Sequence, residues 1–276
     1  MQSQPLGNRL VGGKTSLAGV QDKIVLAWVD GWHQALDGYA STHILKPEVA
    51  HQPTLIYDEE YGARIMRALG LATFSTSVCT FDEVSALVVE RFDRTARGGR
   101  LHAEDFAQAL GVTGIQKYQK YGGTTTLARV AAVLRQHDPD SLASLARMVV
   151  VAVAVGNLDL HAKNLGLLHS DDGTVSLAPA YDWVPLAHQP TDGELAMAVG
   201  REYRHNLVTS EHLVREFAGW RLSNASQLIQ KTLEEIVNVV QVEVPLDGAH
   251  IGLQEDILAF ARRLLRGEPV GRPQSL

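Results

Sequence analysis

The stretch Gly156-Asn157-Leu158-Asp159-Leu160-His161-Ala162-Lys163-Asn164 decides how the rest of this chain is read. It follows an apolar run over residues 148–155, so its polar groups are presented at the end of a rigid, buried element. Within it Asp159 precedes Asn164 by five positions. A carboxylate at the first position can accept the hydrogen bond of an attacking hydroxyl. An amide oxygen at the second can help hold a divalent cation without adding charge. Phosphoryl transfer needs that division of labour, because its catalysis is mostly positioning and charge neutralisation.

The flanks supply what such a reaction would still lack. Downstream, residues 165–168 and 175–177 read as two strands around Asp171-Asp172-Gly173, a hairpin. Just beyond it stands Asp182, in Ala178-Pro179-Ala180-Tyr181-Asp182-Trp183. In protein kinases a metal-binding aspartate follows the catalytic loop in this way, although here it sits in Tyr-Asp-Trp rather than Asp-Phe-Gly. Upstream, Ser16-Leu17-Ala18-Gly19-Val20-Gln21-Asp22-Lys23 reads as a turn feeding a strand, small enough for backbone N–H groups to approach phosphates. Lys46 ends a strand over residues 42–46 and would pair with phosphate oxygens. Residues 88–93, which include Glu90, Arg91 and Phe92, read as a linker whose backbone would bond adenine.

Taken singly, each of these residues has a plain structural use. Asp159 could cap a helix, Asn164 and Gly19 could make turns, Asp182 could be a solvated loop acid, and Lys46 a surface lysine before Pro47. Their order on these elements favours the chemical reading. His161, two residues from Asp159, reads as a structural residue or a phosphate contact. The stretch Lys117-Tyr118-Gln119-Lys120-Tyr121 before Gly122-Gly123 could face a substrate or join two helices. The eleven histidines form no His-x-x-x-His pair near an acid cluster, and Cys79 is the only cysteine. This argues against a zinc hydrolase and rules out an intrachain disulfide.

Composition fits an ordinary folded chain. Of 276 residues, 45% are hydrophobic and 20% charged, so a sizeable core is expected. A net charge of −6 argues against broad nucleic-acid contact by this chain alone. The start, residues 1–13, has no apolar core of a signal peptide, and the run at 148–155 is far short of the roughly 20 residues that span a bilayer. The expectation is a cytoplasmic protein with no membrane contact.

The fold class expected is α+β with two lobes. Residues 1–95 read as a small β-rich lobe: strands at 24–29, 42–45, 77–81 and 85–90, and one helix at 57–69 capped by Gly70. Residues 96–276 read as a larger helical lobe, with helices at 101–110, 126–136, 141–155, 211–220, 225–240 and 253–265. From Gly267 the Pro/Gly-rich end is expected to fray. A cleft between the lobes would take the ligand. The outer side of the β-rich lobe is expected to carry an apolar patch.

Together these motifs resemble the HipA-like family of serine/threonine kinases, toxin components of bacterial toxin–antitoxin modules. The matching stretches are SLAGVQDK from Ser16, THILK from Thr42, VERFDR from Val89, KYQKYGG from Lys117, GNLDLHAKN from Gly156 and APAYD from Ala178. The resemblance implies a two-lobed protein-kinase-like fold, with ATP and Mg²⁺ as cofactors. It makes Asp159 the catalytic residue and Asn164 and Asp182 the metal ligands. Ala18, Gly19, Val20, Gln21, Asp22 and Lys23 become the phosphate loop, and Lys46 the phosphate lysine. Glu90, Arg91 and Phe92 become the adenine hinge, with His161, Ala162, Lys163, Asn164 and Tyr181 completing the nucleotide pocket. Ser16 matches a serine that family members autophosphorylate; a phosphate there would repel ATP from the loop. The chain starts almost at that loop, whereas full-length members begin with a further subdomain, so it looks like the short HipT-type kinase. That implies a helix-turn-helix HipB-like antitoxin, through which alone DNA is met, and a small HipS-like protein as partners. The implied substrate is an aminoacyl-tRNA synthetase, phosphorylated on serine so that translation stops. A small-molecule kinase and an ATP-binding pseudokinase scaffold are the other readings.

Overall fold

The computed structural model describes residues 22–36, 40–95, 99–114, 119 and 122–271. Five strands and one helix form its first part: β1 (Ile24–Trp28), β2 (Trp32–Gln34), β3 (His43–Pro47), α1 (Leu55–Ala68), β4 (Thr76–Phe81) and β5 (Val84–Glu90). The strands make one antiparallel sheet in the order β2-β1-β3-β5-β4. β-branched and aromatic residues suit such a pleated surface, and Ala27, Leu45, Leu87 and Val88 are buried on it. Each hairpin turns through left-handed residues, with φ at Asp30 of 53° and at Asp82 and Glu83 of 45° and 70°. The second is the two-residue loop that matches strand twist, though without the usual glycine. Helix α1 lies against β4 and β5 and ends before Gly70, whose φ is 70°.

The remainder is mostly helical: α2 (Phe106–Ala109), α3 (Leu127–His137), α4 (Leu142–Val155), α5 (Ser210–Gly219), α6 (Ala225–Val242) and α7 (Leu253–Leu265). Helix α4 is its axis. From Met148 to Val155 every residue is buried, packed by α3, α6 and α7. Valine is a mediocre helix former, so burial rather than propensity holds this helix. It stops at Gly156, where φ is 73° and a Cβ would stand 2.6 Å from that of Ala187. Among the described residues no helix is long and apolar enough to cross a membrane.

Three departures from the sequence reading have clear causes. Residues 101–110 are not one helix: β6 (His102–Asp105) pairs with β7 (Gly166–His169), which pairs with β8 (Val175–Leu177). Asp105 then caps α2, accepting from Gln108 N at 2.8 Å while Gln108 Oε1 accepts from Asp105 N at 3.0 Å. That capping box fixes the helix start at Asp105. The hairpin β9 (Glu194–Val199) with β10 (Glu202–Arg204) was not expected. Its apolar run between Gly193 and Gly200 reads as a fully buried strand only once something is known to cover both faces. The end is tied down as far as Gly271: Val270 is fully buried and donates to Val208 O at 2.9 Å.

The outer face of the sheet carries the expected apolar patch. Trp28, Val29 and Val84 are each about half exposed, and Trp32 stands edge-on to Trp28 at 4.8 Å and to Phe81 at 6.1 Å between ring centroids.

Candidate functional site

Lys46 lies on the central strand β3 and is 5% exposed. A buried ammonium must find counter-charges, and it has two. Glu59 of α1 meets it at 2.5 Å, and it donates to Asp182 Oδ1 on the segment that follows β8. Burial alone would pull the Lys46 ammonium down; Asp182 and Glu59 outweigh it and hold the group above the ordinary lysine range. Burial pushes the Asp182 carboxyl upward, but Lys46, Lys23 and His161 pull it well below the usual carboxylate range. For Glu59 burial wins, and its carboxyl is raised against the opposing charge of Lys46. Burial lowers Lys23, with Asp182 opposing and Lys46 adding to the fall, which sets its ammonium beside the same cluster. Asp182 has φ of 61°, a left-handed conformation that aspartate tolerates better than most residues.

The loop from Asn157 to Asn164 is tied by its own amides. Asn157 Oδ1 accepts from Asp159 N at 3.1 Å, His161 N donates to Asp159 O at 2.8 Å, and Asn164 Nδ2 donates to the same oxygen at 2.9 Å. That bond fixes the Asn164 amide within the loop. The Asp159 carboxylate is half exposed, 3.9 Å from His161 Nε2, while His161 and Asn164 are buried. Tyr181 joins the loop to Asp182: its hydroxyl donates to Lys163 O at 2.9 Å, one residue from Asn164, and it directly precedes Asp182. The ring of Phe92 stacks on Tyr181 at 5.4 Å between centroids, so the linker from β5 reaches the same place.

The linker's polar side chains hold its shape. Glu90 accepts from the Ser75 amide and hydroxyl, which lower its carboxyl below the usual range. Arg91 forks onto Asp93 at 2.9 and 2.6 Å, and Arg94 donates to Ser41 O at 2.6 Å. Asp22 is exposed ahead of β1. Ser16, Ala18, Gly19, Val20 and Gln21 lie outside the described residues, as do the lysines and tyrosines of residues 117–121. Gln119 is described, and its Oε1 accepts from Ala198 N on β9 at 3.0 Å.

The structure thus brings Lys46, Asp182, Tyr181, Phe92 and the Asp159–Asn164 loop together. It adds Glu59, which the sequence reading missed. A signal was present: Asp58-Glu59-Glu60 falls inside an amphipathic helix a dozen residues after Lys46, and kinases pair a strand lysine with a helix glutamate. Asp182 and Asn164 offer one carboxylate and one amide oxygen, a hard donor set suited to Mg²⁺. Among the described residues no group of three His, Cys, Asp or Glu could hold a metal.

Two lobes with a lysine, a glutamate and an aspartate converging between them define a kinase-like fold. The chain belongs to the HipA-like C-terminal domain family, whose model matches residues 15–244. It is 30% identical over 293 residues to Y4mE of Sinorhizobium fredii, covering 96% of this chain and 67% of that one. To the serine/threonine-protein kinase toxin HipA of Shewanella oneidensis it is 29% identical over 259 residues, covering 85% of this chain and 59% of that one. Its fold matches HipA in the solved Shewanella oneidensis MR-1 complex of HipA, HipB and operator DNA. The TM-score is 0.73 at 25% identity, over 95% of this chain and 66% of that one. The Helicobacter pylori proinflammatory kinase CtkA shares the fold, with TM-score 0.59 at 14% identity over 93% and 91% of the two chains. The chain therefore spans about three fifths to two thirds of the length of Y4mE and HipA.

Proposed function

We propose that this chain is the kinase of a toxin–antitoxin system, transferring the γ-phosphate of ATP to a serine or threonine of a cytoplasmic protein. The observation that carries the reading is Lys46 held between Glu59 and Asp182, beside the Asp159–Asn164 loop. The name and fold of HipA support it. The residues before 96 act as the nucleotide lobe and those from 96 as the catalytic lobe.

Each residue has a role that its setting suits. The half-exposed Asp159 carboxylate accepts the hydrogen bond of the substrate hydroxyl and orients its oxygen toward the phosphorus. Lys46 neutralises phosphate charge, Glu59 fixes its ammonium, and Lys23 adds a second positive charge. Asn164 and Asp182 would hold Mg²⁺, which when bound neutralises charge on the phosphates. Phe92 and Tyr181 wall the adenine side, with the Glu90–Phe92 backbone, His161, Ala162 and Lys163 around it. By the motif alone, the stretch Ala18 to Lys23 is assigned to the phosphates and Ser16 to autophosphorylation.

The partners follow from the same reading. A helix-turn-helix antitoxin binds the kinase and meets DNA on its behalf, as HipB stands with HipA and operator DNA in the solved complex. A small HipS-like protein covers the aromatic face around Trp28 and Trp32. The substrate is an aminoacyl-tRNA synthetase. The test is transfer of labelled γ-phosphate from Mg-ATP by the purified chain in a lysate of tRNA synthetases, beside Asp159→Gln. A labelled synthetase band that the variant lacks is expected. Label on small molecules alone would make it a small-molecule kinase; none at all, with ATP still bound, would make it a scaffold.

A further inference from the structure

Helix α1 carries three consecutive acids, Asp58, Glu59 and Glu60, and all three are buried. An acid costs free energy to bury unless it is paired; Asp58 and Glu59 meet partners outside the helix, and Glu60 meets one within it. Glu59 takes Lys46. Asp58 accepts from the backbone N–H of His250 at 2.8 Å, and His188 Nε2 stands 3.2 Å from its other oxygen. The His188 and His250 rings stack at 3.9 Å, and Gln189 Nε2 lies 3.0 Å from His188 Nε2. Glu60 takes Arg64 Nε at 2.9 and 3.0 Å. Arg64 continues to Glu243 Oε2 at 2.7 Å and Val244 O at 2.8 Å, and Tyr61 donates to Glu243 O at 2.8 Å. The helix that presents Glu59 is therefore fastened at three points to residues 243–250, which join α6 to α7.

We propose that Asp58 and Arg64 are positioning residues: by clasping α1 to residues 243–250 they hold Glu59 against Lys46. The inference rests on the phosphotransfer reading for its effect on rate. In kinases whose lysine–glutamate pair is made and broken by a moving helix, that helix is the switch. Here the helix is anchored to the larger lobe by side chains as well as by packing. The Lys46–Glu59 pair stands formed, and breaking the clasp loosens it.

The test uses the full chain with Asp58→Ala, which removes the acceptor for His250 N–H. Arg64→Gln is the second variant, at a partly exposed site where folding is less at risk; Glu243→Gln alone and the two together complete a double-mutant cycle. Circular dichroism and melting establish the folded fraction. Hydrogen exchange over residues 55–68 is expected to accelerate at least about tenfold in each single variant. The turnover number should fall about tenfold while KM for ATP moves less than about twofold. The double variant should lose no more than about its worse single, since both remove one contact. Unchanged exchange overturns the clasp. Faster exchange with full turnover, or a turnover loss equal to the loss of folded protein, overturns the positioning role. If the unmodified chain transfers no phosphate, the kinase reading fails, and exchange over α1 alone decides whether the clasp holds.

Discussion

A Cβ placed on Gly62 would stand 2.1 Å from the carbonyl oxygen of Trp183. Helix α1 thus rests directly on the backbone that follows Asp182, one turn from Glu59. Gly62→Ala should gain about 1 kcal/mol in helix propensity. The clash is with backbone and has no flexible tip to yield, so a net loss of about 1–3 kcal/mol is expected. Thermal unfolding checks it. A variant that melts at or above the parent temperature would mean the helix is not seated this tightly.

Removing the central cation should cost far more than removing one anion. Lys46→Met leaves Glu59 buried beside Asp182 with only the more distant Lys23 to oppose their charge, an expected loss of about 3 kcal/mol near neutral pH. Glu59 is already raised by burial, and without Lys46 it rises further. A carboxyl raised in the folded state binds its proton more readily there, so the variant should recover stability as pH falls from about 7 toward 5. Glu59→Gln, which leaves Lys46 with Asp182, should cost less and show little of this recovery. Denaturant midpoints at the two pH values are the measurement.

His205 supplies a separate pH dependence. It is buried, donates from Nε2 to Val153 O at 2.8 Å, and faces Phe260 edge-on. Burial lowers its imidazole below the ordinary value, with the bond to Val153 opposing. The folded state therefore prefers the neutral ring while the unfolded chain takes a proton below about pH 6.5. Stability from this group is full above that value and drains as pH falls, by up to about 1.4 kcal/mol per pH unit. His205→Gln should flatten the change in melting temperature between pH 7.5 and 5.5. An unaltered slope would assign the effect to other groups.

Asp105 gives the mildest case. Asp105→Ala removes the cap of α2 at its junction with β6, an expected loss of about 1 kcal/mol, and Asp105→Ser should restore most of it. Equal melting of the two variants would show that the cap contributes nothing.

What the sequence made legible was what local pattern controls. The apolar run at 148–155 forced a buried helix, and Gly156 had to end it. Asp159, Asn164, Asp182 and Lys46 could be singled out as candidates because each sits in a short motif, and the structure brings them together. Glu59 escaped because its pairing with Lys46 depends on how α1 lies across the sheet, which no local pattern records. Residues 102–105 escaped because their partner, β7, lies more than sixty positions away. The tail was misjudged for the same reason: Val270 is held by Val208, and only the fold makes them neighbours.

The turn at Asp82 and Glu83 has a consequence for the protein's lifetime. Two successive residues with side chains are held at positive φ, where a residue other than glycine pays roughly 1 kcal/mol or more. Asn-Gly would sit there comfortably. The turn is at the tip of the β4–β5 hairpin, at the far end of β5 from the Glu90–Phe92 linker. Selection that asks only for enough stability leaves such strain in place. Relieving it would slow turnover of the chain by proteases while leaving Lys46, Asp159 and Asp182 as they are, so the amount of protein in a cell could be raised independently of its chemistry.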